Sequence, residues 1–144
     1  MANITASLVN ELRQRTGVGM MDCKKALVEC DGDMDKAIDY LREKGQKLAA
    51  KRADRDASEG AVLAGVNADK TFAAVIMMNC ETDFVAKNED FVAFTKTVLD
   101  AALAAKAQTM QDVLALEIEG KNVETMIVEQ VAKIGEKITL SHYL

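Results

Sequence analysis

The first 45 residues alternate short apolar stripes with polar turns. In three successive segments the apolar residues recur every three or four positions, which places them on one face of a helix. These stripes are Ile4, Leu8 and Leu12; then Cys23, Ala26, Leu27 and Cys30; then Met34, Ala37, Ile38 and Leu41. Turns at Gly17–Gly19 and Asp31–Asp33 separate them, and Gly45 is expected to end the third helix. The pattern predicts a three-helix bundle over 1–45.

The pattern changes after the bundle. Residues 42–56 carry six Lys or Arg against three acids, and Leu48 is their one large aliphatic residue. This composition predicts a solvated helical linker over 46–58. A basic contact with nucleic acid is the alternative, and the interspersed acids disfavour it.

The second half changes element type along its length. Two apolar runs, Ala61–Val66 and Phe72–Met78, are separated by Asn67–Lys70, a turn of the kind that closes a hairpin. The last residues, 137–144, alternate apolar and polar positions and predict a third strand. An α+β subdomain is therefore expected over 59–144, with a small antiparallel sheet of about three strands packed with helices.

Helices are predicted between the second and third strands. A long apolar stripe runs from Phe91 to Leu103, Thr109 begins a capping sequence, and a last helix spans Val123 to Ile134. The third strand runs to Leu144 without a turn or cap. We therefore expect the natural polypeptide, or its fold, to continue beyond that residue.

Composition narrows the function classes. The chain has 144 residues, a net charge of -5, 4% aromatic residues and no Trp, which disfavours general nucleic-acid binding. No apolar stretch is long enough to span a membrane, and the N-terminal sequence is unlike a signal peptide. We expect a cytoplasmic protein that binds neither nucleic acid nor membrane. Its three cysteines are expected to be reduced thiols.

Metal and cofactor sites are not predicted. The cysteines have no paired CxxC spacing and there is a single histidine, unlike a zinc site. The acids of 31–35 resemble the start of a calcium loop, but Lys36 and Arg42 stand where that loop needs Gly and Glu. Gly17–Gly19 follows a helix rather than a strand, unlike a phosphate-binding loop.

Catalysis is not predicted either. His142 is the single histidine and Cys80 is the one cysteine outside the helical stripes of the bundle, and nothing in the sequence brings the two together. We therefore do not expect an enzyme.

Two exposed-looking apolar features remain. Phe84 follows the second strand on a polar turn, and its i+3 and i+4 neighbours are Lys87 and Asn88 rather than apolar partners. It either folds back under the sheet or is directed at another protein. Met20 and Met21 are adjacent on a helix and cannot both face the bundle core, so at least one is expected at the surface.

Two long motifs carry a resemblance to a known family. Residues 12–27, LRQRTGVGMMDCKKAL, and residues 79–86, NCETDFVA, resemble the two signatures of bacterial elongation factor Ts, in the same order. Segments 45–52 and 131–136 are also similar to that family. The resemblance covers essentially the whole chain, as the family's N-terminal domain plus the first part of its core.

The resemblance implies a function. Members of the family are guanine-nucleotide exchange factors that bind the GDP form of elongation factor Tu and promote release of Mg²⁺ and GDP. It implies a ubiquitin-associated-like bundle that docks on the nucleotide domain of Tu through Arg13, Met20 and Met21. It implies a second contact near the Mg²⁺ site of Tu, made by Thr82, Asp83, Phe84 and Val85, and this favours an outward Phe84.

A second interpretation stays open. The chain could be a non-catalytic protein-interaction module, whose ubiquitin-associated-like bundle binds a helical partner beside a passive α+β half. Family members carry more core than this chain does, so the resemblance does not imply full exchange activity for this chain. Nucleotide linkage separates the two interpretations, because GDP weakens the binding of an exchange factor to Tu and leaves a passive binder unaffected.

Overall fold

A computed structural model describes residues 2–144 and confirms the predicted α+β class. Over those residues it contains seven helices, a three-stranded antiparallel sheet and one two-stranded pair. The elements, in chain order, are α1 Ala6–Thr16, α2 Met20–Glu29, α3 Met34–Lys51, β1 Glu59–Val66, β2 Ala73–Cys80, α4 Asp83–Ala86, α5 Glu89–Ala105, α6 Met110–Ala115, β3 Glu117–Ile118, β4 Lys121–Asn122, α7 Val123–Ile134 and β5 Thr139–Tyr143.

The three N-terminal helices form as the apolar spacing predicts. The Thr5 hydroxyl accepts a hydrogen bond from the Leu8 amide at the start of α1, and Gly17, at φ 70°, ends that helix. Asp33 caps α3 by accepting from the Lys36 amide. The buried residues of this core are Val9, Leu12, Val18, Cys23, Ala26, Leu27, Ala37 and Leu41.

The prediction that Gly45 ends the third helix is wrong, because α3 continues through it to Lys51. Gly45 is buried, and a Cβ at this position would lie 3.1 Å from the Ala132 Cβ and 3.6 Å from Val128 Cγ1. The glycine therefore permits close packing against the second half of α7. Residues 46–51, predicted as linker, extend the same helix.

The sheet has the order β1-β2-β5. β1 and β2 pair in antiparallel register from Glu59 opposite Cys80 to Val66 opposite Ala73. The Asn67 side chain fastens their turn by accepting from the Thr71 and Phe72 amides. β5, the predicted third strand, pairs with the other edge of β2. α5 packs against both β1 and β2.

The connections after α5 include one element that the sequence did not predict. Thr109 and Asp112 form a reciprocal capping box at α6, as expected from the sequence. The short β3–β4 pair was not predicted, because two-residue strands carry no periodicity. Its turn uses Glu119 and Gly120 at positive φ.

The described residues fall into two compact units. One contains the residues up to Arg52 together with Val128–Gly135, and the other contains Ala53–Ile127 and Glu136–Leu144. The predicted domain limits, 1–45, 46–58 and 59–144, remain a prediction. Across residues 2–144, no helix combines the length and apolar character needed to cross a bilayer.

Candidate partner-binding sites

The segment from Thr82 to Val85 begins directly after the central strand. β2 ends at Cys80, and α4 begins at Asp83. Thr82 is extended, at φ -120° and ψ 154°, and its hydroxyl accepts from the Val85 amide at 3.4 Å. The chain thus turns from strand to helix within two residues, and a threonine cap stabilises the new helix.

Phe84 is displayed at the surface by this turn. Its side chain is 83% exposed, so the interpretation in which it folds under the sheet is wrong. Val85 and Ala86 are half-buried, whereas Asp83 and Lys87 are exposed. α4 therefore turns one side to the body of its unit and presents the phenylalanine ring to solvent.

The charges beside the ring form one exposed ion pair. Lys87 Nζ lies 3.3 Å from Asp83 Oδ2, one helical turn away, and both side chains are more than half exposed. A surface pair of this kind contributes about 0.5 kcal/mol or less. Its chief effect is to place a carboxylate beside an exposed aromatic ring.

A distant glutamate fastens the start of the turn. Glu136 Oε1 accepts from the Glu81 and Thr82 amides, both at 3.1 Å, and Glu136 Oε2 accepts from the Thr82 hydroxyl at 2.8 Å. In return, Glu81 Oε1 accepts from the Lys137 amide at 2.7 Å. Two carboxylates thereby join two pairs of neighbouring residues across more than 50 positions of sequence.

Cys80 lies beneath the same turn. Its side chain is fully buried, and its Sγ donates to the Thr82 carbonyl at 3.2 Å. Burial raises the pKa of the Cys80 thiol from 9.0 to about 11, and the negative charge of Glu136 adds to this. The group is therefore a neutral thiol at physiological pH, and not an activated nucleophile.

The second predicted site lies on the helical bundle. Met20 is 53% exposed and Met21 is 67% exposed, so the expectation of a surface methionine is met by both residues. They occupy the first turn of α2, whose buried side is formed by Cys23, Ala26 and Leu27. Arg13 is exposed in the last turn of α1, and α1 packs against α2.

An exposed valine extends this surface along α2. Val28 is 58% exposed and lies two turns beyond Met21. A shallow groove between them is also lined by Lys24, Lys25 and Glu29. Val28 was not predicted as a surface residue, although its i+7 spacing from Met21 indicates the shared face.

Known proteins resemble this chain over nearly all of its length. The family model described as Elongation factor TS matches residues 81–143. A protein named Elongation factor Ts from Amoebophilus asiaticus is 56% identical over 97% of this chain and 50% of its own length. The protein of the same name from Rhodopirellula baltica is 54% identical over 99% of this chain and 43% of its own length. Over almost its whole length the chain resembles proteins of the elongation factor Ts family.

The similarity covers only part of the length of the relatives. The chain spans about half the length of the curated relatives it matches, including 52% of the Elongation factor Ts of Christiangramia forsetii. The family model covers the Phe84 turn and the segment that contains Glu136. The bundle is covered by the alignments to the relatives, which extend over 97% to 99% of the chain.

The chain offers no metal-binding cluster within residues 2–144. Its three cysteines are free thiols. Asp33 serves as the cap of α3, and Asp31 accepts from the Ala2 amide, so two of the acids of 31–35 have structural roles. What the two sites offer chemically is contact: exposed apolar side chains beside charged ones.

The sequence analysis did not assign a role to Glu136. The residue lies in the segment VAKIGE that carries part of the family resemblance. Its hydrogen bonds reach residues 54 and 55 positions earlier, and no periodic pattern encodes such a long-range contact.

Proposed function

We propose that this chain acts in translation elongation as a guanine-nucleotide exchange factor for elongation factor Tu. In this proposal it binds the GDP form of Tu and promotes release of Mg²⁺ and GDP. The observation that carries the proposal is the Phe84 ring, 83% exposed on a capped turn beside the Asp83 carboxylate. The similarity to elongation factor Ts proteins supplies the identity of the partner.

The proposed contacts divide between the two sites. Thr82, Asp83, Phe84 and Val85 form the contact that disturbs the Mg²⁺ site of Tu. Arg13, Met20 and Met21 form the contact of the bundle with the nucleotide domain. Both are supported by the exposure of their central residues, Phe84 in one and Met20 and Met21 in the other.

The exchange step needs no catalytic side chain, so we propose that the protein is not an enzyme in the chemical sense. A ring that binds better to Tu with a distorted Mg²⁺ site than to Tu holding GDP and Mg²⁺ shifts Tu toward the open state. The coupling is reciprocal, since any loss of GDP affinity caused by this chain equals the loss of its own affinity caused by GDP. The proposed setting is the cytoplasm, where translation takes place.

Burial of one phenylalanine sets the scale of the effect. Moving its ring from water into an apolar site is worth about 1.5–3 kcal/mol. Since a tenfold change in affinity corresponds to about 1.4 kcal/mol, the ring accounts for a factor of about ten to a hundred. Larger accelerations require the rest of the interface.

The test is stimulated GDP release. Tu loaded with a fluorescent GDP is mixed with this chain in a stopped-flow instrument, and the Phe84→Ala variant is compared with the parent. We expect release to slow by about ten- to a hundredfold, with unchanged circular dichroism because the ring contributes little to its own fold. Val66→Ala is the control, since it also shortens an exposed apolar side chain of the same unit.

Equal release by parent and Phe84→Ala would remove the ring from the mechanism. The dependence of binding on GDP then distinguishes an exchange factor from a passive interaction module. The exposed face of α2 is also compatible with such a module. Calorimetric titration of Tu at rising GDP should show progressively weaker binding of this chain. Affinity that does not change with GDP would favour the passive module.

A further inference from the structure

The two backbone amides between β2 and α4 are held by one distant carboxylate. The ladder of β2 ends at Cys80 and α4 begins at Asp83, so the Glu81 and Thr82 N–H groups lie between the two elements. Unpaired backbone groups that are partly buried are costly, and they are normally satisfied by a side chain or by water. Here both are satisfied by one carboxylate oxygen, Glu136 Oε1.

The other oxygen of Glu136 orients the cap. It accepts a hydrogen bond from the Thr82 hydroxyl at 2.8 Å, which leaves a lone pair of that hydroxyl for the Val85 amide. Hydrogen bonds to a charged acceptor are about twice as strong as neutral ones. The direction of α4 at its first turn is therefore set by a residue that lies outside the turn.

The Phe84 ring cannot set its own position. Its side chain is 83% exposed and thus has few contacts within the chain. Its place is determined by the backbone of α4, a helix of four residues, which is too short to be stable alone. The hydrogen bonds that hold the start of α4 therefore also fix the position of the ring.

We propose that Glu136 is a positioning residue that holds the Phe84 turn in the conformation in which it docks on a partner. The proposal rests on the proposed function for the identity of that partner. A turn already held in its bound conformation loses less conformational entropy on binding, so the same contact gives a larger effect. Lys137 closes the arrangement, because its amide donates to Glu81 Oε1.

The first arm of the test uses the free protein. Amide hydrogen exchange is measured by NMR in the parent, Glu136→Ala, Glu136→Gln and the control Glu117→Ala, which removes an exposed carboxylate of the same unit. We expect exchange at the Glu81 and Thr82 amides to rise roughly tenfold or more in Glu136→Ala, with the amides of β2 unchanged. Glu136→Gln keeps one oxygen acceptor and should recover part of the protection.

Two results of this arm would overturn the proposal. One is unchanged exchange at both amides in Glu136→Ala. The other is an equal rise throughout the unit, including β2, because that would assign Glu136 a general structural role. Glu117→Ala should match the parent at both amides.

The second arm is a double-mutant cycle in stimulated GDP release from Tu. Glu136→Ala should slow release about tenfold in the parent and about twofold or less in the Phe84→Ala background, because a residue that acts through the ring has little effect without it. Additive losses would overturn the role of Glu136. Slow release by Phe84→Ala beside fast release by Glu136→Ala would remove only this role. Fast release by Phe84→Ala would remove the ring, and with it the role of Glu136, from the mechanism, whereas a parent chain that does not stimulate release would remove the proposed function.

Discussion

Met20 and Met21 stand on the first turn of a ten-residue helix, whereas Phe84 stands on a helix of four residues. The methionines are placed by the buried face of their own helix, which leaves them no inward position. The phenylalanine is placed by Thr82 and by Glu136, which reaches the turn from the other end of the sequence. Local periodicity is thus enough to expose the two methionines, whereas long-range polar contacts are needed to position Phe84.

The difference extends to what each site requires of its fold. A helix packed along its length resists local change, because its apolar face holds every turn. A four-residue helix depends on its ends. The bundle surface should therefore tolerate substitution around it, and the Phe84 turn should be sensitive to residues that never touch a partner.

The largest expected effect separates the buried from the exposed face of α2. Leu27 is fully buried and Met21 is 67% exposed. Leu27→Ala should lower the free energy of unfolding of the bundle by about 2–5 kcal/mol, because it removes apolar contacts and leaves a cavity. Met21→Ala should change it by about 0.5 kcal/mol or less. Urea unfolding followed by circular dichroism measures both, and similar losses would mean that Met21 belongs to the core.

A second prediction compares the alkylation rates of one cysteine in each unit, Cys30 and Cys80. Cys80 has a pKa of about 11 against an ordinary 9.0, so at neutral pH it holds roughly a hundredth of the thiolate of an unperturbed cysteine. Cys30 is only half-buried. Iodoacetamide should therefore alkylate Cys30 first and Cys80 at least about a hundredfold more slowly than a model thiol, as followed by peptide mass spectrometry.

The same shift has a consequence for stability in alkali. The unfolded chain loses the Cys80 proton near pH 9.0, whereas the folded chain keeps it to about pH 11. The contribution of the Cys80 thiol to the free energy of unfolding is therefore fully present below pH 9 and is lost as the pH rises to 11. Alkylation of Cys80 at neutral pH as fast as that of a model thiol would contradict both expectations, because it would show that the turn above Cys80 is open.

The smallest expected effect tests the bundle as a contact surface. Arg13→Ala should weaken binding to elongation factor Tu about two- to fivefold, because most interface residues outside the central anchors contribute about 1 kcal/mol or less. Arg15→Ala is a matched control on the same helix, since Arg15 pairs with Glu11 at 2.6 Å within its own chain. Isothermal calorimetry compares the two, and equal affinity of Arg13→Ala and parent would exclude Arg13 from the interface.

Much of the fold is predictable because its signals are local. The stripes that contain Leu12, Leu27 and Leu41 predict the bundle, and each of these residues is buried. The capping pattern at Thr109 predicts α6. Gly45 misleads because glycine usually ends a helix, whereas here it admits the Ala132 side chain at close range. That exception depends on a partner 87 positions away, which a local pattern cannot contain.

The candidate sites divide in the same way. Adjacent methionines require surface exposure by helix geometry alone, so Met20 and Met21 could be found from the sequence. For Phe84 the pattern left two interpretations, and family resemblance favoured the outward one. Glu136 could not be found, since its contacts depend on the fold that brings residues 81–82 beside 136–137.

Exposure of residue 84 also makes it an optical handle. The chain contains no tryptophan, so an indole introduced there would be the sole source of tryptophan fluorescence in this chain. Surrounded by water, it would emit at long wavelength, and seated in an apolar pocket it would shift to shorter wavelength. The colour of one side chain would then report docking in real time, without a label on either protein.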